Sequence, residues 1–195
     1  MKRFSPLNNC HTKGLFGNYE SKNENELIKI SENKDKSIFQ IVRLKNSKTP
    51  INNMKIFDLN FSDEKLKVIS NENTRILWMG PNNWLIVSDQ KDIESEINKN
   101  FLVNDFAVTN LSHSRAIIEL EGKNLKEVLK KGCPLNFFES KKNNCANSIF
   151  HGITITIDFV GDNPEKIRIL SLRSFGQSLY HSITDACLEF GYKAI

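Results

Sequence analysis

The sequence lacks the apolar stretches that mark exported or membrane-embedded chains. Residues 1–17 contain no apolar core of signal-peptide length, and no run approaches the roughly 18 apolar residues that a spanning helix needs. We therefore expect neither secretion nor insertion into a membrane. A cytoplasmic location is the expectation that follows.

The sequence also lacks the local motifs that hold nucleotides and metals. It has no Gly-x-Gly-x-x-Gly segment, no Walker loop and no set of protein-kinase motifs. Its 4 cysteines are too far apart for a zinc knuckle or a redox dithiol, so scattered reduced thiols are expected. We predict no bound cofactor and no metal site in this chain.

Charge of one sign is not in large excess. The 27 Lys and Arg residues against 23 Asp and Glu residues leave a net charge of +4, and the basic residues are mostly lysines without arginine clusters. Such a pattern is typical of a solvated surface rather than of a nucleic-acid footprint. We expect no nucleic-acid partner.

The residues that are present favour an α+β fold. Within residues 75–88, two runs rich in strand-forming residues flank the turn-forming residues 80–83. Residues 153–159 alternate strictly between apolar and polar positions. Helices are predicted after residue 89, before Gly132 and after Ser174, where Ser174 and Gln177 are expected to form a capping box. The order predicts two ferredoxin-like halves, each a mainly antiparallel sheet with helices packed on one face.

The domain boundaries follow from composition. Residues 1–37 are polar and show little periodicity, which predicts an extended N-terminal arm that is either frayed or laid over a partner. Residues 38–195 are predicted to form the folded domain, with half-domains at about 38–105 and 106–195.

One cluster, Leu-Ser-His-Ser-Arg at residues 111–115, carries a hydroxyl, an imidazole and a guanidinium. Adjacent side chains on an extended chain point to opposite faces, so Ser112 and His113 are poorly placed to act as nucleophile and base. We interpret the cluster as a polar turn whose side chains bond to the backbone, and we predict no catalytic residue.

Several residues are candidates for an interface. An exposed Trp84 at the hairpin would anchor a partner, although at least one of Trp78 and Trp84 is expected in the core. Arg173 precedes a helix N-terminus, where a cation is unfavourable, so it needs a carboxylate from this chain or another. The candidate interface residues are Trp84, His113, Arg115, Arg173 and Phe175.

Several stretches occur together in one order. They are WMGPNNWL at residues 78–85, VTNLSHSRAII at 108–118, LKKGCPL at 129–135, CA at 145–146, RSFGQSL at 173–179 and EFG at 189–191. This ordered set resembles the gamma subunit of heterotetrameric sarcosine oxidase. The resemblance covers most of residues 75–191, whereas residues 1–70 match only loosely.

The resemblance implies a fold similar to the folate-binding domain of the glycine-cleavage T-protein. It further implies a complex with alpha, beta and delta subunits that demethylates sarcosine, using FAD, NAD, FMN and tetrahydrofolate. The flavin and pyridine-nucleotide sites of such complexes belong to the alpha and beta subunits. This chain is then expected to be an accessory subunit that packs on the alpha subunit, with no active site of its own.

Alternative functions remain open at this point. A stand-alone folate-dependent aminomethyltransferase would need a committed carboxylate, and a small folate-binding protein would need a stacking aromatic beside a carboxylate. The substrate of the complex is also open, because dimethylglycine is an N-methyl amine related to sarcosine and specificity would be decided in another chain.

Overall fold

The computed structural model describes residues 4–195, which divide into two compact units. The seven-stranded unit contains residues 114–142 and 146–195 together with the N-terminal segment through Lys34. The five-stranded unit contains residues 35–113 and 143–145. Each unit has its own hydrophobic core.

Strands dominate the described part of the chain. In chain order they are β1 (Gly14–Phe16), β2 (Ile28–Glu32), β3 (Ser37–Arg43), β4 (Lys55–Ile56), β5 (Leu59–Asn60), β6 (Val68–Ser70), β7 (Thr74–Gly80), β8 (Asn83–Ser88), β9 (Phe106–Asn110), β10 (Arg115–Glu121), β11 (Cys145–Phe150), β12 (Ile153–Asp162), β13 (Glu165–Leu172) and β14 (Tyr192–Ala194). The α-helices are α1 (Ile93–Asn100), α2 (Leu125–Lys130) and α3 (Gly176–Cys187). Short 3-10 turns occur at Glu24–Glu26, Ile51–Asn53, Arg173–Phe175 and Leu188–Phe190.

The seven-stranded sheet has the order β1-β14-β2-β10-β13-β12-β11. The pairs β2–β10, β10–β13 and β12–β13 are antiparallel, and β14 lies parallel to β2. Alternation in β12 places Ile155, Ile157 and Phe159 in the core, where α2 and α3 contribute Leu129 and Leu179. The strict apolar alternation of this strand is therefore used to bury one face of the sheet.

The five-stranded sheet has the order β6-β7-β8-β3-β9. The predicted hairpin is confirmed, because β7 pairs antiparallel with β8 and Trp78 lies opposite Trp84. Its turn residue Asn82 has a φ of 57°, a left-handed conformation that asparagine tolerates better than most residues. The mainly antiparallel sheets with few helices confirm the α+β fold class.

The N-terminal segment differs from the predicted arm over residues 1–37; residues 1–3 of that arm lie outside the described range. Strand β2 is inserted between β14 and β10, with Ile28 and Ile30 fully buried. Its apolar alternation is too short to stand out from polar neighbours, and its pairing partners lie far away in the sequence. The segment is an integral part of the seven-stranded sheet.

The boundary between the units also differs from the predicted break near residue 105. Strand β9 pairs with β3, so residues 106–110 belong to the five-stranded sheet. The chain passes to the other unit after His113. The long-range pairing of β9 with β3 places the junction later than the predicted break.

The last helix begins differently from its predicted capping box. Residues 173–175 form a 3-10 turn, α3 starts at Gly176, and no side chain caps its N-terminus. The helical segment ends at Gly191, which has a φ of +68°. No helix in the described part of the chain combines the length and hydrophobicity needed to cross a bilayer.

Candidate functional site

A shallow groove lies at one end of the seven-stranded sheet and encloses about 230 Å³, counting the space open to solvent. We name it the Arg115 groove; its lining residues are Phe4, Ser5, Pro6, Glu32, Asn33, Lys34, Arg115, Ala116, Ile117 and Arg173. The antiparallel pairing of β10 with β2 and β13 explains this set. The start of β10 meets the end of β2 and the end of β13, so residues from all three places line the groove.

Arg115 is the first residue of β10 and lies directly opposite Leu172 of β13. Its side chain is half-buried, and burial lowers the pKa of its guanidinium below the ordinary value. Among residues 4–195, this guanidinium has no hydrogen-bond acceptor and no ion-pair partner. A partly desolvated arginine of this kind is an unfilled site for a carboxylate.

Glu32 supplies the opposite charge at the end of β2. Its side chain is only 3% exposed. Oxygen Oε2 accepts a hydrogen bond from Ser5 Oγ and lies 3.9 Å from Lys34 Nζ. Oxygen Oε1 is buried and has no hydrogen-bond partner among residues 4–195. Leaving a buried acceptor without a donor is costly.

Arg173 helps to build the wall of the groove. Its Nη2 donates a hydrogen bond to the backbone carbonyl of Phe4, and its backbone N–H donates to Ser114 O at 2.9 Å. The sequence predicted a carboxylate partner for Arg173, and the structure shows a carbonyl acceptor within the chain instead. Arg173 therefore fixes residue 4 against the end of β13.

Three exposed apolar side chains lie next to these charged groups. Phe4 is 81% exposed, Leu172 is 45% exposed and Phe175 is 48% exposed. Leu172 and Phe175 flank Arg173 in the sequence, and the backbone of Phe4 is bonded to Arg173. We call these three residues the apolar rim.

The other two candidate interface residues lie in the five-stranded unit. Trp84 is 1% exposed, donates its indole N–H to Ser62 O at 2.7 Å and packs edge-on against Phe61. Trp84 is therefore a core residue, as expected for at least one of the two tryptophans, and its assignment as a candidate interface residue is wrong. His113 is exposed in a turn and does not line the groove.

The polar-turn interpretation of residues 111–115 is confirmed at Ser112. Ser112 Oγ accepts a hydrogen bond from Ile38 N at 2.9 Å and donates to Ile38 O at 3.3 Å. Asn110 Oδ1 in turn accepts from Ser112 N at 3.0 Å. The Ser112 hydroxyl thus joins the turn to β3.

The four cysteines are free, and burial raises the pKa of the Cys187 thiol to about 12, far from the range of a reactive thiolate. Among residues 4–195, no group of three or more His, Cys, Asp and Glu side chains is arranged to hold a metal ion.

Sequence reasoning missed Glu32 and Phe4 because both lie in the segment interpreted as an arm. The apolar residues Leu27, Ile28 and Ile30 were the available signal, since a strand there would end at Glu32. Nothing in the sequence indicated that this strand would pair with β10.

The family model described as sarcosine oxidase, gamma subunit family matches residues 56–189, more than half of the chain. The chain belongs to the sarcosine oxidase gamma subunit family. The resemblance identified from the ordered motifs is thereby confirmed.

A curated relative agrees with this assignment. The sarcosine oxidase subunit gamma of Corynebacterium sp. (strain U-96) is 28% identical over 120 residues, which are 60% of this chain and 58% of the relative. The aligned region thus spans less than two thirds of that protein.

The heterotetrameric sarcosine oxidase structure from Corynebacterium sp. U-96 contains a chain with the same fold. The TM-score is 0.82 at 21% identity, with 96% of each chain covered. Aminomethyltransferase T of the glycine cleavage system from Bartonella henselae gives a TM-score of 0.59 at 11% identity, covering 82% of this chain and 46% of that protein. The predicted similarity to the T-protein fold is confirmed.

Proposed function

We propose that this chain is the accessory gamma subunit of a heterotetrameric sarcosine oxidase. In this function it supports the oxidative demethylation of sarcosine to glycine by packing on the alpha subunit. The observation that carries the proposal is the family match over residues 56–189. The shared fold over 96% of a chain from a heterotetrameric sarcosine oxidase supports it.

The chemistry of the Arg115 groove fits binding better than turnover. A guanidinium does not exchange protons near neutral pH, so Arg115 is suited to hold a carboxylate and not to act as an acid or base. The exposed phenyl rings of the apolar rim are typical of residues that anchor protein interfaces. Contact with another polypeptide satisfies both features.

The remaining assignments belong to the same proposal. The partners are the alpha, beta and delta subunits, and the complex operates in the cytoplasm. The complex uses FAD, NAD, FMN and tetrahydrofolate, all of which are held by the other subunits. Sarcosine is the proposed substrate, with dimethylglycine as the alternative, since specificity resides outside this chain.

The fold shared with aminomethyltransferase T favours one second candidate, a stand-alone folate-binding protein or aminomethyltransferase. This chain covers only 46% of the T-protein, so the larger part of that enzyme has no counterpart in it. The accessory function is therefore preferred, and tetrahydrofolate binding is kept as an outcome of the test.

The test is co-expression of this chain with the alpha, beta and delta chains of the same organism, followed by size-exclusion chromatography with flavin absorbance. We expect the chain to co-elute with yellow protein and to be colourless alone, and sarcosine oxidase activity to be lost when it is omitted. A complex that assembles and turns over fully without the chain would overturn the proposal. An isolated chain that binds tetrahydrofolate would favour the second candidate.

A further inference from the structure

We infer that the cationic side chains of the Arg115 groove and the apolar rim together form a docking surface for an acidic segment of the partner subunit. The inference rests on the proposed function and specifies the chemistry by which the partner is recognised. An Asp or Glu carboxylate of that segment pairs with the Arg115 guanidinium. Apolar side chains next to that carboxylate cover the rim.

Strand register places the Arg115 side chain beside the apolar rim. Arg115 lies directly opposite Leu172 in the antiparallel pair of β10 with β13, so both side chains project from the same face of the sheet. Directly opposite residues have Cβ atoms about 4.5–5.5 Å apart. Arg115 is half-buried without an acceptor among residues 4–195, whereas Leu172 is 45% exposed. A group that binds this guanidinium therefore lies next to an exposed apolar side chain.

The charges that line the groove favour an anion. Lys34, Arg115 and Arg173 are cations, and Glu32 is the one carboxylate among the described lining residues. Glu32 lies opposite the core residue Ile118, so its carboxylate projects from the other face of the sheet than Arg115 does. It also lies 3.9 Å from Lys34 Nζ, which offsets its charge. The positive charge in excess attracts a carboxylate to the groove.

Arg173 supplies a second guanidinium with donors to spare. Its Nη2 donates to Phe4 O, and its Nε and Nη1 have no acceptor among residues 4–195. Its backbone N–H donates to Ser114 O at 2.9 Å, which fixes Arg173 next to the start of β10. Neither arginine of the groove has a carboxylate partner in the described chain. Guanidinium groups bind carboxylates through paired N–H donors, so both arginines suit an acidic segment.

The apolar rim indicates a polypeptide rather than a free small anion. Phe4 and Phe175 expose 81% and 48% of their surface, and Phe175 lies in the same 3-10 turn as Arg173. Protein interfaces are enriched in aromatic residues and arginine. A phosphate ion or a free carboxylate would satisfy the guanidinium groups but leave both rings in water. A segment with apolar residues beside an Asp or Glu covers the rings and pairs with the arginine.

The first experiment measures the affinity of the purified chain for the complex of the remaining subunits, by biolayer interferometry at 0.15 M salt. The variants are Arg115→Gln and Arg115→Glu, and the matched control is Lys13→Gln, which removes an exposed cation elsewhere in the same unit. Truncating one member of a buried charge pair across an interface weakens binding by about 30-fold or more. We expect that loss for Arg115→Gln, a larger loss for Arg115→Glu because like charges then meet, and no change for the control.

The rim is tested in the same assay with Phe175→Ala. We expect its affinity to fall by about fivefold or more, as for an aromatic residue in the buried part of an interface. The matched control is Phe138→Ala, which removes a 93% exposed ring elsewhere in the same unit and should bind as the wild type does. Wild-type affinity in Phe175→Ala would place the rim outside the interface and overturn the inference.

Folding is checked by the thermal midpoint of each isolated variant, which we expect to equal that of the wild type for Arg115→Gln, since Arg115 has no partner to lose. Should the wild type bind and both Arg115 variants bind equally well, the inference is overturned while the proposed function stands. Equal losses in Arg115→Gln and Arg115→Glu would show that no carboxylate faces Arg115, with the same consequence.

Two further outcomes separate this surface from other occupants. Saturable binding of phosphate or acetate to the isolated chain, lost in Arg115→Gln while subunit affinity is unchanged, would make the groove a small-anion site and overturn the inference. A wild-type chain that does not bind the other subunits overturns the proposed function as well as the inference.

Discussion

Trp84 and Trp78 are cross-strand neighbours, and only the indole N–H of Trp84 has a hydrogen-bond acceptor among residues 4–195. Trp84 donates to Ser62 O at 2.7 Å, whereas the buried Nε1 of Trp78 has no acceptor among residues 4–195. Replacing Trp84 by Phe keeps an aromatic ring but leaves the Ser62 carbonyl without its donor. We expect this change to lower the free energy of unfolding by about 1–3 kcal/mol in urea titrations followed by far-UV circular dichroism.

The matched control is Trp78→Phe, which removes an N–H that has no acceptor. Since the removed N–H contributes no hydrogen bond, we expect the free energy of unfolding to fall less than in Trp84→Phe, because of the smaller ring alone. Equal losses in the two variants would show that packing, and not the bond to Ser62, sets the cost at Trp84.

The candidate site shows at the residue level what a sequence can and cannot indicate. Arg115 was noticed as part of the polar cluster at residues 111–115, and Arg173 was noticed because it precedes a helix N-terminus. Their proximity depends on β10 pairing with β13, which places Arg115 opposite Leu172, 57 positions away, and which no local pattern reveals. Glu32 required the further knowledge that β2 lies beside β10.

Strand β2 permits a direct test of whether the N-terminal segment is integral to the fold. Ile30 is fully buried between β14 and β10, so Ile30→Ala leaves a cavity in the core of the seven-stranded unit. We expect a loss of about 2–5 kcal/mol in the free energy of unfolding.

Lys13→Ala in the same segment is the control, because Lys13 is exposed and its removal leaves no cavity. We expect Lys13→Ala to change the free energy of unfolding by less than about 0.5 kcal/mol. If the two variants were equally stable, the segment would behave as the loose arm that composition predicted, and the placement of β2 would be contradicted.

The end of the last helical segment depends on Gly191 for two separable reasons. Its φ is +68°, and a Cβ there would lie 2.5 Å from the backbone oxygen of Asn18. Gly152 also has a positive φ, +82°, but a Cβ there meets nothing within 4 Å. Gly152→Ala should therefore lower the free energy of unfolding by about 1–2 kcal/mol, from the backbone conformation alone.

Gly191→Ala should lower the free energy of unfolding clearly more than Gly152→Ala does, because the steric conflict with Asn18 adds to the same conformational cost. Thermal unfolding of the two variants beside the wild type measures the difference. Similar midpoints would show that the chain around Asn18 moves away at little cost.

At the level of elements, local patterns predicted those whose partners are near in sequence. The hairpin of β7 and β8 and the pair of β12 and β13 are joined by short turns, so alternation and turn residues sufficed. Strand β9 was placed in the wrong half-domain, and β2 and β14 were not predicted, because each pairs over a long separation and β14 is only three residues long. Periodicity identifies a strand, but it does not identify the sheet that the strand joins.

Across the whole chain, carboxylates on the sheet surface connect stability to pH. Burial raises the pKa of Glu119, but bonds from Lys166 and from Arg168, each at 2.7 Å, outweigh it and lower the pKa overall. A hydrogen bond from Lys29 lowers the pKa of Glu121. A lowered folded pKa gives stability that is complete above the unfolded value, near 4.3, and is lost as pH falls through the folded value.

The pKa of Glu165 shifts in the opposite direction on folding. Burial raises its pKa, and the nearby Lys126 offsets this only in part. Its carboxyl therefore takes up a proton more readily in the folded chain than in the unfolded chain. This group adds stability as pH falls through its folded pKa, and it opposes the acid destabilisation that Glu119 and Glu121 cause.

We therefore expect the free energy of unfolding of the wild type, measured in urea between pH 7 and pH 3, to fall below about pH 4.3. Glu119→Gln should be less stable than the wild type at pH 7, because Arg168 and Lys166 lose their partner, and the difference should shrink towards pH 3. Glu165→Gln should show a steeper acid decline than the wild type, since it lacks the compensating proton uptake. Parallel pH profiles for the wild type and both variants would mean that neither carboxyl changes its pKa on folding, and the ion pairs at Glu119 would then contribute no pH-dependent stability.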